Sequence, residues 1–200
     1  MHVCMCACVC VCVDSFLYLG SMLSSSGRCS SEVARRLASA SRAFGALQCV
    51  FRQRGLSVAT KQQIYSACVL STLLYGAECW AILRCDEARL DAFHHRCIRS
   101  ILGVSRLQQQ LQHITNAELR RRWGDPGLVS DTLRKRRLQW LGHVARMDED
   151  RIPKQLLFGW LPQTRPAHGP RLRWKDHVTE DLKKLGVSDW YLLSQDRVQW

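Results

Sequence analysis

Apolar and polar residues alternate through SFLYLGSMLSS around Gly20, and the turn-rich SSSGRCSS follows, which predicts a short strand or hairpin ending in a loop. At Ser30 the period changes. Val33, Leu37, Ala40, Phe44, Leu47 and Phe51 recur at steps of three and four, one apolar stripe of a helix that Gly55 ends. Arg35, Arg36, Arg42, Arg52 and Arg54 are left for its other faces. A second helix is expected after Ser57 through KQQIYSACVLSTLL, apolar almost all round beyond Ile64 and therefore central and buried. Leu73 to Trp80 adds aromatic bulk. A third helix, with Asp86 as its N-cap, carries Leu90, Phe93, Cys97, Ile98, Ile101 and Leu102 on one face and closes at Gly103.

Beyond this three-helix bundle the pattern weakens. SRLQQQLQHI is a glutamine-rich linker or weak helix, and it marks a boundary. Thr115-Asn116-Ala117-Glu118 reads as a capping box opening a short helix, and Asp125-Pro126-Gly127 as a turn. A longer helix places Leu133, Leu138, Trp140, Leu141, Val144 and Met147 on its apolar side. Pro153 opens a short apolar helix, then come the Pro/Gly-rich WLPQTRPAHGPRLRW, an amphipathic helix from Trp174 to Leu185 capped by Gly186, and a last short helix around Trp190. The fold class is mainly α: a strand-turn at 14–29, a helical bundle at 30–104, a linker at 105–114 and a basic helical extension at 115–200.

Charge adds a partner class. The formal net charge is +12 with a pI near 9.5, which favours a polyanion such as nucleic acid, or an acidic membrane surface. The positive charge concentrates between Glu118 and Arg146. There Arg120, Arg121, Arg122, Arg134, Lys135, Arg136, Arg137, Arg146 and a protonatable His143 face only Glu118, Asp125 and Asp131. Arg134 to Arg137 are consecutive, so they spread round a helix, and at least one is expected to meet an acid or a phosphate. Trp123 and Trp140 lie beside these cations and could stack on bases. The spacing of Trp140 from Val144 and Met147 favours a core role instead.

Of the eleven cysteines, Cys4, Cys6, Cys8, Cys10 and Cys12 alternate with Met5, Ala7, Val9 and Val11. A translated TG dinucleotide repeat gives this pattern, so residues 1–13 read as low-complexity and disordered rather than as a thiol site. The run lacks the basic leader and cleavage site of a secretory signal. The other six cysteines sit singly in helical patterns, as free thiols do in a reducing intracellular compartment. Cys79, Cys85, His94 and Cys97 match no compact zinc spacing, and Asp148-Glu149-Asp150 sits among cations that can pair with it. No run of eighteen apolar residues provides a membrane span. No metal or cofactor is expected.

Four phrases in fixed order carry a resemblance: FLYLGSMLSSSG, STLLYGAECW, FHHRCIRSILG and QWLGHVARMDEDRIPKQLLFG. From Asp14 to Trp200 the chain resembles the region that follows the polymerase palm in the reverse transcriptases of LINE-like non-LTR retrotransposons. The resemblance implies that Tyr18, Leu19 and Gly20 are primer-grip-like, and that 30–104 is a thumb in which Arg89, Arg96 and Arg99 face the phosphates of a template-primer duplex. RPAHGPRLRWKDHV is similar to a GRPRxRWxD motif of such elements, with Thr164 or Arg165 in place of its first glycine. Ser71 stands where the family usually has proline, which predicts a straighter helix there.

Those RNA-directed DNA polymerases hold two metal ions on paired aspartates, and no Asp-Asp pair occurs in this sequence. The reading is therefore a non-catalytic fragment. At most it binds RNA or an RNA–DNA hybrid non-specifically through phosphates. The alternative is a protein-interaction or decayed fragment, with self-association through exposed apolar surface and no independent function.

Overall fold

A computed structural model describes residues 13–124, 127–159 and 173–200. The readings of the cysteine repeat, of the Asp125-Pro126 turn and of the 160–172 loop lie outside the described residues. The described chain is mainly helical with one hairpin, as the sequence pattern implies. Strands β1 (Ser15–Tyr18) and β2 (Ser21–Ser24) pair antiparallel, Tyr18 opposite Ser21. Only Leu19 and Gly20 remain for the turn, and both take positive φ, 45° and 77°. That backbone matches the twist of paired strands.

Helix α1 (Ser30–Ala46) buries Val33 and Ala40, and Phe44 stacks on Phe51 of α2 (Gln48–Phe51) with ring centres 5.3 Å apart. Arg36 departs from expectation. It is buried rather than solvent-facing, because its Nε donates to the buried Glu32 carboxylate at 2.6 Å and its guanidinium lies 4.4 Å above the Tyr75 ring. Ser57 caps α3 (Val58–Ile64), its hydroxyl accepting from the Thr60 N–H at 3.1 Å.

The next helix is neither regular nor buried all round. The ladder widens into a π-helical turn over Tyr65–Leu70 before the short α4 (Ser71–Leu73). Tyr65, Val69, Leu73 and Leu74 are buried, while Ser66, Ala67, Cys68 and Ser71 are exposed. The hydroxyls of Ser71 and Thr72 donate to the carbonyls of Ala67 and Cys68. Such back-bonding competes with the backbone ladder, so serine in the proline position does not give a plain α-helix.

Helix α5 (Arg84–Ile101) begins before Asp86, which is therefore not its cap. Asp86 is buried and accepts from the Ser30 hydroxyl at 2.6 Å and from Arg89 at 2.8 Å, tying the start of α1 to the start of α5. Gly103, with φ of 70°, ends α5 in the left-handed conformation expected of a C-terminal glycine. The glutamine-rich stretch forms α6 (Arg106–Leu111), opened by a Ser105–Gln108 capping box and burying nothing. In α7 (Asn116–Trp123) only half of the expected box forms. Thr115 accepts from the Glu118 N–H, but the Glu118 carboxylate turns to Arg121 and Arg122.

The remaining helices are α8 (Val129–Ala145), α9 (Ile152–Phe158), α10 (Trp174–Lys184) and α11 (Trp190–Gln195). The larger core joins Val33, Tyr65, Leu90 and Ile98 to Leu119, Trp123 and Leu133, so side chains from both sides of 105–114 share it. A smaller core of Leu141, Val178 and Leu182 gathers Trp174, Trp190 and Trp200. Helix α8 contributes to both.

Candidate nucleic-acid interface

On α5, Arg89, Arg96 and Arg99 stand seven and three residues apart, which at 3.6 residues per turn places them within about 80° of one another. That side faces away from the core residues Leu90, Ile98 and Ile101. The three arginines line an open groove of about 640 Å³ against Leu37, Ala38 and Ser41 of α1, with Arg106 and Asn116 at one end. The groove exists because Ala38, Ser41 and Ala92 are too small to fill the space between the two helices. No carboxylate lines it.

Arg89 and Arg99 each have one orienting contact and Arg96 has two, which leaves guanidinium donors to spare. Arg89 rests on the buried Asp86. Arg96 lies 5.2 Å over the Phe93 ring and reaches the Ser41 hydroxyl at 3.4 Å. Arg99 donates to Gln109 at 3.3 Å. His95 also lines the groove; burial first, then the charge of Arg120, pushes its pKa down, and its Nε2 accepts from Arg120 at 2.8 Å. The sequence reading missed Arg106. Its signal was Ser105 three residues before Gln108, a capping box hidden inside a stretch read as linker.

The run at 134–137 does not form one positive surface. Arg134 bonds Asp131 and Asp181, Arg137 bonds Asp181 at 2.7 Å while 2% exposed, and Arg136 donates to the Leu74 carbonyl at 2.6 Å. Lys135 is exposed. The expected meeting with an acid occurs twice on one aspartate. Elsewhere Arg121 and Arg122 hold Glu118, whose pKa their hydrogen bonds lower to about 2, and Arg146 donates to the Ser194 carbonyl. Of the basic residues singled out by sequence, the structure gathers Arg89, Arg96 and Arg99 on one concave surface.

The hairpin hangs from α1 by its backbone. The Gly20 carbonyl accepts from Arg35 and Arg36, the Leu19 carbonyl accepts from the Tyr75 hydroxyl at 3.1 Å, and the Met22 N–H donates to Glu32 at 2.8 Å. Tyr18 and Leu19 stay exposed beside a second depression that Tyr75, Glu78 and Arg136 complete. The core role expected of Trp140 falls to it only in part. Trp123 is buried edge-on to Tyr65 at 5.8 Å, whereas Trp140 is half-buried with its ring 5.3 Å from that of His143.

His94 and Cys97 belong to the core. The Tyr65 hydroxyl lies 2.9 Å from His94 Nδ1, and burial pushes the Cys97 thiol up to about 12. Among the described residues no group of three or more His, Cys, Asp or Glu is placed to hold a metal ion, and no helix is long and apolar enough to cross a membrane. Glu149 of the acidic cluster pairs with Lys154 at 2.7 Å.

A Caenorhabditis elegans protein described as transposon-derived is 26% identical over 201 residues, covering 94% of this chain and 69% of that protein. The chain is thus similar to a transposon-derived protein along most of its length. No family model matches the chain, and no solved structure matches it.

Proposed function

We propose that the chain is a retrotransposon-derived, non-catalytic segment of the reverse-transcriptase type that grips a nucleic-acid duplex by its phosphates, with α1 and α5 as the jaws. One observation carries this reading: four arginines, Arg89, Arg96, Arg99 and Arg106, converge on a groove with no lining carboxylate. Guanidinium donors in that arrangement suit phosphate oxygens, and they read no sequence because no base edge is addressed. Bond-making chemistry is not assigned to it, since the sequence holds no adjacent aspartates for a two-metal site.

Salt tests the reading. Four neutralised phosphates give a slope of log affinity against log salt of about −3 to −4, a loss on the order of 10²-fold between 50 and 200 mM. Fluorescence anisotropy of the full chain with a labelled RNA–DNA hybrid measures it. Arg96→Gln and Arg99→Gln should each lower the slope by about one. A slope near zero, or one unchanged in both variants, sinks the proposal. The rival reading, a protein-interaction surface, draws on the cluster of Phe158, Trp190 and Tyr191 beside exposed Leu156 and Leu192. Self-association there would strengthen in sulfate, and sedimentation velocity would register it.

A further inference from the structure

The protein has a second concave surface, and its chemistry differs from that of the arginine groove. Tyr18, Tyr75, Glu78 and Arg136 line a depression between the hairpin and α8, and Glu78 and Arg136 also line its continuation along α8 with Trp140 and His143. Three aromatic rings surround one cation and one carboxylate. The rings are open, Tyr18 being 58% and Tyr75 51% exposed and Trp140 half-buried. Tyr75 and Trp140 are also braced. The Arg36 guanidinium covers one face of Tyr75 at 4.4 Å, the Tyr75 hydroxyl is held by the Leu19 carbonyl, and His143 lies against Trp140. Arg136 is anchored through the Leu74 carbonyl.

A phosphate is poorly served here, because the Glu78 carboxylate lines both depressions and repels it. A nucleobase is well served. Its π-face stacks on an aromatic ring or an arginine plane, and its exocyclic amino group donates to a carboxylate, as cytosine does to glutamate. In a duplex those faces are hidden within the stack, so the bases within reach are unpaired. We propose that the groove between the hairpin and α8 binds unpaired nucleobases of a single strand, with Trp140 and Tyr75 as stacking platforms and Glu78 as the acceptor. This rests on the chain being a nucleic-acid binder but uses none of the residues of the arginine groove. The rings are fixed before binding, so little freedom is lost on stacking.

The test uses the full chain and a strand of about 12 nucleotides, within the usual site size, carrying 2-aminopurine. Parallel probes are the same strand with abasic positions, a blunt RNA–DNA hybrid and a charge-matched polyglutamate peptide. Stacking quenches the 2-aminopurine fluorescence, and the abasic strand should bind about 5- to 150-fold more weakly per lost contact. Trp140→Ala should reduce that difference by one contact, about 5- to 150-fold, and leave the blunt hybrid unaffected, while Trp140→Phe should keep most of it. Should the alanine variant fail to fold, the phenylalanine variant and the abasic comparison on the unaltered chain still decide. Equal affinity for intact and abasic strands, absence of strand binding, or equal competition by polyglutamate would overturn the proposal. Loss of hybrid binding with retained quenching would count against the phosphate reading alone.

Discussion

Asp181 is the side chain whose removal should cost the fold most for a single polar change. It is 4% exposed and accepts from Arg137, itself 2% exposed, at 2.7 Å and from Arg134 at 3.2 Å. The Arg137 Nε has no partner of its own, so Asp181 supplies the hydrogen-bonded counter-ion of this buried guanidinium, with the Glu87 carboxylate adding attraction without a hydrogen bond. Arg134 is less dependent, because Asp131 holds it at 2.9 Å. Asp181→Ala therefore leaves a buried charge without a hydrogen-bonded counter-ion, which costs about 3–5 kcal/mol, Glu87 holding the loss toward the lower end. For a chain of this size that corresponds to a fall in Tm of about 6–20 °C. Thermal unfolding followed by circular dichroism measures it, and hydrogen exchange should show α10 releasing first. The double variant Arg137→Met/Asp181→Leu removes both charges together and should recover most of the loss, since a buried ion pair replaced by apolar groups is often neutral or better. A cost below about 1 kcal/mol for Asp181→Ala, or a double variant as unstable as the single, refutes the reasoning.

Three further outcomes follow from particular contacts. At Gly142 a Cβ would collide with the Trp200 indole, whose Nε1 donates to the Leu138 carbonyl at 3.0 Å; Gly142→Ala should cost about 1–3 kcal/mol and shift the tryptophan fluorescence. Leu19 is 77% exposed with φ of 45°, so Leu19→Gly sheds left-handed strain without losing packing and should stabilise the hairpin by about 1 kcal/mol, readable in urea unfolding. Burial, and then the charge of Arg137, lowers the His177 pKa in the folded chain below its unfolded value. The folded state thus prefers neutral imidazole, and its stability should fall as pH drops below about 6.5. His177→Asn should flatten that decline in unfolding curves taken from pH 7 to 5.

Much of the backbone was legible because its signals are local. Ser57 and Thr115 accept from the amides three residues on, Gly103 and Gly186 close their helices at positive φ, and the apolar stripe of α5 is buried as its period implies. What the sequence hid was mostly polar pairing over distance. Asp86 looks like a cap, yet its partner Ser30 lies 56 positions away. Arg36 belongs with the solvent-facing arginines by period, but Glu32 one turn earlier and Tyr75 above it draw it inward. Trp140 has core spacing yet is half-buried, while Trp123 is buried in the larger core, edge-on to Tyr65. No periodicity records such meetings.

Polar pairing also keeps the densest charge in the sequence from forming the candidate site. Four adjacent helical residues point in four directions about 100° apart, so a run such as Arg134 to Arg137 must offer some of its charges to the interior. There Asp181 and a backbone carbonyl claim them. Arginines seven and ten residues apart keep a common direction, and small residues on the facing helix leave room for a ligand between them. Spacing on one face, with Ala38 and Ser41 on the facing helix and Ala92 small beside the arginines on α5, is thus a stronger sign of a candidate polyanion groove than local charge density. Among the differences between the two concave surfaces, one concerns charge of opposite sign: the groove of α1 and α5 has no carboxylate, and the groove of the hairpin and α8 has Glu78. Glu78→Gln should accordingly raise the affinity of the second groove for an abasic strand, whose phosphates it no longer repels, and leave the first unchanged. A variant that changes neither would mean that this carboxylate does not govern what the groove accepts.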